Sequence, residues 1–130
     1  DVYKRQNLTY VNLQYKDFAN DLTKIKKEIG VTLHNFDDLD HFNNIDDVAA
    51  LCAALDMIVS TKTTVPFISA GVGTLTKVAN WKQSPWNNIL LNPIGPLVDI
   101  FERDTQESWD KVFSSIAEDI FKITKNWSSL

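Results

Sequence analysis

Short apolar runs alternate with amphipathic helical segments along the chain, and this alternation limits the fold more than any other feature. Helices repeat every 3.6 residues and strands every two, so the two periods separate the segments. Gly30 ends the first helical segment, and Pro66 is tolerated because it falls in the first turn of the third. The predicted strands cover residues 11–15, 31–34, 57–59, 75–79 and 97–101, and the predicted helices cover 18–29, 45–55, 65–72 and 109–127.

Several features within these segments give more specific predictions. Asp17 and Asn44 are candidate N-caps of the first two helices. The last helix is the clearest, because its apolar residues share one face: Trp109, Val112, Phe113, Ile116, Ile120, Ile123 and Trp127. Residues 57–59, Met-Ile-Val, form an uninterrupted apolar run, which is typical of a strand buried on both faces. We therefore predict that Met57 to Ser60 is the central strand of a sheet.

Strands that alternate with helices of this length imply right-handed crossovers and a parallel sheet. The sequence therefore predicts an α/β fold, a Rossmann-like, doubly wound parallel sheet. A chain of 130 residues is about one domain, and we see no domain boundary inside it.

Composition excludes several classes of partner. The net charge is −4, with no basic stripe of the kind that binds nucleic acid. No apolar run approaches the ~20 residues of a membrane span, and charged residues interrupt the first apolar positions, so no signal peptide is visible. Cys52 lies among alanines and Leu51, which indicates a buried small residue in a reducing compartment. We expect a cytoplasmic protein.

A candidate phosphate site follows the third predicted strand. In an open α/β sheet, ligands bind beyond the carboxyl ends of the strands. Lys62, Thr63 and Thr64 lie there, immediately before a predicted helix. The amides of a helix start attract phosphate, and two hydroxyls and an ammonium would add to that attraction. The alternative is that a threonine merely caps the helix.

The acidic segment from His34 to His41 has two interpretations. Histidine and carboxylate side chains bind divalent metals. However, the spacing matches neither an EF-hand loop, which needs a glycine at its tight turn, nor a two-histidine helix motif. We expect a solvated acidic loop and no metal.

Two tryptophans, Trp81 and Trp86, flank residues 82–85 in a segment rich in loop residues. Aromatic rings near a sheet edge could stack on a sugar or a base. They could equally anchor a long loop to the core, so both interpretations remain open.

Six short segments follow one another in a familiar order: Val11–Asp17, Asp46–Leu51, Leu55–Ser60, Thr63–Thr64, Ala70–Gly73 and Ser84–Trp86. This ordered set resembles the C-terminal part of bacterial glycosyltransferases that often follow tetratricopeptide repeats. These enzymes are similar to the ADP-heptose–lipopolysaccharide heptosyltransferases and, more distantly, to protein O-GlcNAc transferase. The resemblance covers about residues 8–120, and it is specific as an ordered set.

The resemblance implies a GT-B architecture, in which two Rossmann-like domains face each other across a cleft. The C-terminal domain holds a nucleotide-sugar donor, and transfer inverts the anomeric carbon without a metal or another cofactor. Thr63 and Thr64 match threonines that meet the donor diphosphate, with Lys62 beside them. Asn35, Phe36 and Trp81 are expected near the nucleoside and sugar.

The resemblance places no catalytic residue in this chain. The catalytic base and the acceptor site are expected on a missing N-terminal domain, with tetratricopeptide repeats as a further part of the parent protein. Members related to the heptosyltransferases commonly have Asp where this chain has Lys62, and His where it has Phe67. These departures favour the alternative of a non-catalytic, degenerate binding or scaffold domain.

Residues 1–6 need separate treatment. Their sequence, Asp-Val-Tyr-Lys-Arg-Gln, resembles the translation of the transposase mosaic end used in preparing sequencing libraries. We expect these residues to be a sequencing scar without native contacts, and such scars are excluded from fold reasoning. Residues 7–130 are then expected to form an incomplete nucleotide-sugar-binding domain.

Overall fold

The computed structural model describes residues 8–16, 18–82 and 96–127. The predictions for residues 1–6, Asp17 and Ser84–Trp86 lie outside these ranges. No helix in the described ranges has the length and apolarity needed to cross a membrane. The elements are β1 (Tyr10–Val11), α1 (Ala19–Ile29), β2 (Leu33–His34), α2 (Ile45–Ala54), β3 (Met57–Thr61), α3 (Val65–Gly71), β4 (Leu75–Trp81), β5 (Val98–Arg103) and α4 (Trp109–Trp127).

The chain divides into two compact units, Asp1–Ala50 and Leu51–Leu130, and α2 spans the boundary between them. In the first unit, β1 and β2 pair in parallel. Gly30 ends α1 as predicted, with a left-handed φ of 74° and its amide donating to the Lys26 carbonyl. Asn44 caps α2 as predicted, because its Oδ1 accepts from the Asp47 amide at 3.2 Å.

In the second unit, three parallel strands form a sheet in the order β3-β4-β5. This confirms the predicted α/β fold with a parallel sheet, consistent with a Rossmann-like fold. The prediction that Met57 to Ser60 is the central strand is wrong, because β4 is the middle strand of this sheet. Val59 on β3 is 48% exposed, whereas β4 is buried from Thr76 to Asn80.

The prediction failed because β4 contains polar residues and so does not look like a buried strand in the sequence. In the structure these side chains are buried with specific partners. Thr76 Oγ1 lies 2.7 Å from Ser69 Oγ on α3, and Lys77 Nζ lies 2.5 Å from Asp119 on α4. Adjacent residues of a strand point to opposite faces of the sheet. Helices α3 and α4 therefore cover opposite faces, which is the doubly wound arrangement.

The core beneath α4 is built from Ala79 on β4 together with Val112 and Ile116 on the helix. Partly buried Phe101, Trp109 and Ile120 pack against this cluster. The predicted apolar face of α4 is therefore confirmed at Trp109, Val112, Ile116 and Ile120. Phe113, also predicted on this face, has its ring centroid 6.0 Å from that of Trp109, but it is 45% exposed.

Candidate functional site

The carboxyl ends of the three strands of the second unit meet along one edge of the sheet, because the strands are parallel. Thr61 pairs with Ala79, and Asn80 pairs with Glu102. Lys62 follows Thr61 directly, so Lys62, Asn80 and Glu102 lie at the same level of three neighbouring strands. We call residues 60–64, 80–82 and 102–104 the carboxyl edge.

The loop between β3 and α3 holds the three residues predicted to meet a phosphate. Thr63 Oγ1 lies 3.4 Å from the Val65 amide, which donates to it, and 3.3 Å from Ser60 Oγ. Thr64 occupies the N-cap position of α3, but its side chain makes no capping hydrogen bond. The Thr63 hydroxyl therefore helps to cap the start of α3, whereas the Thr64 hydroxyl does not.

Lys62 follows β3 directly and is partly buried. Desolvation lowers the pKa of Lys62, and the negative charge of Glu102 offsets part of this effect. The Glu102 carboxylate accepts a hydrogen bond at 3.3 Å from Nδ2 of Asn80, a residue that is only 4% exposed. A buried amide on the middle strand therefore holds the Glu102 carboxylate at the carboxyl edge.

The other cations of the carboxyl edge also have partners. Lys82 Nζ lies 3.1 Å from Asp104 Oδ2, and this hydrogen bond is the main reason that the pKa of Lys82 is raised. Arg103 Nη1 donates to the Glu107 carbonyl at 2.5 Å, and its guanidinium stacks over the Trp109 ring at 4.3 Å. Arg103 is thus committed to the turn that leads into α4.

Trp81 is the last residue of β4 and is 48% exposed. It lies two residues after Ala79 and so shares the sheet face that α4 covers. Asn80 points to the opposite face. The structure therefore brings Trp81 to the carboxyl edge, but on the other face of the sheet from Asn80 and Glu102.

Asn35 and Phe36 belong to the first unit and are described within it. Asn35 Oδ1 accepts from Asn12 Nδ2 at 2.9 Å, and Asn35 Nδ2 donates to Asp37 at 2.6 Å. The Asn35 oxygen therefore joins the residues that follow β1 and β2, and its amide nitrogen bonds within its own loop. Phe36 is exposed, which suits a contact surface.

The acidic segment is organised by Asp40. Its carboxylate accepts from the amides of Phe42 and Asn43 and from the Asn43 side chain, at 2.9–3.0 Å. The Asn43 side-chain bond is the main cause that holds the pKa of Asp40 below its ordinary value. The Asp40 carboxylate thus stabilises the turn that follows it. Within the ranges that the structure covers, no group of three or more potential ligands is placed to hold a metal.

Cys52 is fully buried, as predicted, and burial raises the pKa of its thiol. The thiolate is the reactive form of cysteine, so this environment disfavours nucleophilic chemistry.

The sequence analysis did not predict that Asn80 and Glu102 lie at the carboxyl edge, although their positions in the sequence indicate it. Each is the first residue after a predicted strand, 75–79 and 97–101, and ligand-binding residues follow the carboxyl ends of strands in this class of fold. Lys77 was also missed. It carried no such signal, because it lies in the middle of a strand and its two acidic partners come from β5 and α4.

Comparison with known proteins adds one relative. The chain is 29% identical to the protein FlbA of Caulobacter vibrioides over 119 residues, which cover 85% of this chain. The same alignment covers 19% of FlbA, so this chain corresponds to about a fifth of the length of that relative. No protein-family model matches the chain, and no solved structure matches it.

Proposed function

We propose that this chain is the donor-binding part of a GT-B glycosyltransferase, which holds a nucleotide-sugar whose sugar passes to a glycan or protein acceptor. The observation that carries the proposal is the placement of Lys62, Thr63 and Thr64. They follow a parallel strand at its carboxyl end, immediately before α3. In open α/β folds this is the position at which ligands bind.

The chemistry of these three side chains suits a diphosphate. Hydroxyl and amide donors can hydrogen-bond the phosphate oxygens, and such bonds to a charged group contribute roughly 1.5–3 kcal/mol each. Thr64 is well placed for this role, because its hydroxyl is not used to cap α3. Lys62 would add an attraction that weakens as salt rises.

The reaction type comes from the resemblance of the ordered segments to glycosyltransferases. In this proposal the catalytic base and the acceptor site belong to a separate N-terminal domain, and no metal is required. Transfer then needs the longer parent protein, since a base must be aligned with the acceptor across the cleft.

Replacing Thr63 and Thr64 together by valine tests the proposal. Valine keeps the side-chain shape but removes the hydroxyls. Calorimetry should then show that the affinity for a nucleotide-sugar is at least tenfold weaker, because the loss of one hydrogen bond that contributes ~1.4 kcal/mol lowers the affinity by a factor of ten. UDP-glucose, UDP-N-acetylglucosamine, ADP-glucose and GDP-mannose serve as probes, with the 130-residue chain and its full-length parent as receptors.

Thr124→Val is the matched control, because its hydroxyl bonds to the Ile120 carbonyl on α4, within a helix. It should leave affinity unchanged. Thermal melts must accompany the titrations, since a lost cap at Thr63 would cost about 1 kcal/mol of stability. Unchanged affinity in a folded double variant would mean that the nucleotide, if bound, lies elsewhere.

One observation favours a second candidate function, a binding domain without catalytic activity. Lys62 and Phe67 stand where the enzymes that the sequence resembles commonly have Asp and His. Single-turnover assays of the full-length parent separate the two candidates: binding with transfer supports the enzyme, and binding without transfer supports the non-catalytic domain.

A further inference from the structure

The first unit carries exposed apolar and acidic side chains beyond the carboxyl end of β2. Residues 36–47 contain five aspartates and no lysine or arginine. Phe42 and Ile45 lie among these aspartates and are 69% and 59% exposed. Exposed apolar side chains that are rimmed by polar residues are typical of an interaction surface. We call this the acidic surface, and its exposed residues are Phe42, Ile45, Asp37, Asp38, Asp46 and Asp47.

The same unit carries exposed basic side chains in the second half of α1. Residues 24–29 contain three lysines and one glutamate, and all three lysines are exposed. Ile29, the last residue of the helix, is 48% exposed, and α1 has no buried residue. We call Lys24, Lys26, Lys27 and Ile29 the basic surface. Each of the two surfaces therefore combines exposed apolar side chains with charges that are mainly of one sign.

The two surfaces lie at opposite ends of the first unit. Because β1 and β2 are parallel, α1 joins them by running back against the strand direction. The basic surface therefore lies toward the start of β2, whereas the acidic surface follows the end of β2. Among the described residues, no ion pair joins a lysine of the basic surface to an aspartate of the acidic surface.

We infer that two copies of this chain associate side by side and antiparallel, so that the basic surface of each copy contacts the acidic surface of the other. A two-fold axis perpendicular to the strands brings opposite ends of the two copies to the same level, and the same contact then forms twice. A parallel arrangement would place the aspartates of both copies against each other, which repulsion between like charges disfavours.

The attraction has an apolar and an electrostatic part. The contact removes Phe42, Ile45 and Ile29 from water, which favours association. Ion pairs at an exposed surface contribute little individually, so we expect association only at tens to hundreds of micromolar. It should weaken as salt is raised, because salt screens exposed charges. The inference is independent of donor binding, since none of these residues belongs to the carboxyl edge.

Sedimentation velocity of the 130-residue chain at low salt tests the inference. One variant, Lys26→Glu with Lys27→Glu, reverses the basic surface, and another, Asp38→Lys with Asp46→Lys, reverses the acidic surface. None of these four side chains has a hydrogen bond or an ion pair within the described ranges, so both variants should fold. Each should associate at least about tenfold more weakly than the native chain.

An equimolar mixture of the two variants should associate again. The reversed lysine positions of one variant then face the reversed aspartate positions of the other, and the second contact of the pair keeps its native charges. A mixture that stays monomeric would contradict the two-fold arrangement.

Lys111→Glu with Lys122→Glu is the matched control, because it changes the net charge as the lysine variant does but on exposed positions of α4. It should leave association unchanged. Phe42→Ser checks the apolar part without a change of charge, and it should also weaken association. A native chain that stays monomeric over this concentration range would overturn the inference, as would a dimer that neither charge reversal weakens.

Discussion

The Lys77 ammonium on the middle strand β4 lies 2.5 Å from the Asp119 carboxylate on α4. The same ammonium contacts Asp99 on β5, the register partner of Lys77, also at 2.5 Å. Only the lysine is deeply buried, since the Asp99 and Asp119 side chains are partly exposed. One buried cation therefore ties the middle strand, the β5 strand and α4 together.

Replacing Lys77 by Met should destabilise the protein by about 1–3 kcal/mol, as expected for hydrogen bonds to charged groups. Methionine keeps the apolar stem, so the loss reports the charge and the two carboxylates left facing each other. Urea unfolding measures the effect. The single variant Asp119→Asn should cost less, because Asp99 still pairs with Lys77, and a larger cost for D119N would contradict this account.

The same lysine should make stability depend on alkaline pH. Burial lowers the pKa of Lys77, but the hydrogen bonds to Asp119 and Asp99 outweigh it and raise the pKa above its ordinary value. A raised folded-state pKa gives stability that is complete below the unfolded pKa of ~10.4 and is lost above it. The free-energy difference between wild type and K77M should therefore be constant from pH 7 to pH 9 and shrink at higher pH. A difference that grows above pH 10.4 would have the wrong sign.

The core beneath α4 predicts a sharp contrast between two positions of the same helix. Ile116 is 2% exposed and packs with Ala79 and Val112, so Ile116→Ala should cost about 2–5 kcal/mol. Phe113→Ala removes a larger side chain at the exposed margin and should cost less than about 1 kcal/mol. Chemical denaturation of both variants decides the matter, and equal losses would show that α4 packs differently.

A pair of buried hydroxyls joins α3 to β4, with Ser69 Oγ 2.7 Å from Thr76 Oγ1. Thr76→Val preserves the shape but removes one partner, which should cost roughly 1–3 kcal/mol in a buried site. Thr124→Val on α4 provides the less buried comparison and should change stability by less than about 0.5 kcal/mol. The prediction fails if the two thermal stabilities fall equally.

His41 in the acidic segment should make the first unit sensitive to mild acid. Neither ring nitrogen has a hydrogen-bond partner in the described part of the chain, and burial lowers the pKa of His41, with Asp40 opposing the change. A lowered folded-state pKa gives stability that is present above the unfolded pKa of ~6.5 and declines as pH falls below it. Wild type should therefore lose more melting temperature between pH 7.5 and pH 5 than His41→Phe. Equal losses of melting temperature in the two proteins would show that His41 is not the cause of the acid sensitivity.

The sequence by itself determined the fold class and most element positions. The helices and strands were predicted from the two hydrophobic periods, from Gly30 and from Pro66. These features reflect local backbone preferences, which act before any tertiary contact forms. The same local logic placed Lys62, Thr63 and Thr64 between a strand and a helix. Their role with a nucleotide-sugar stays a prediction, because it depends on a ligand.

Only the tertiary structure decided which strand is central and which charges face each other. The sequence favoured the apolar β3, but β4 can be buried because Ser69, Asp99 and Asp119 satisfy its polar side chains from other elements. The pairing of Lys77 with Asp99 likewise depends on strand register, since the two residues are 22 positions apart in the chain. Periodicity records which face a residue occupies, whereas its partner across the sheet is fixed only when the strands pair.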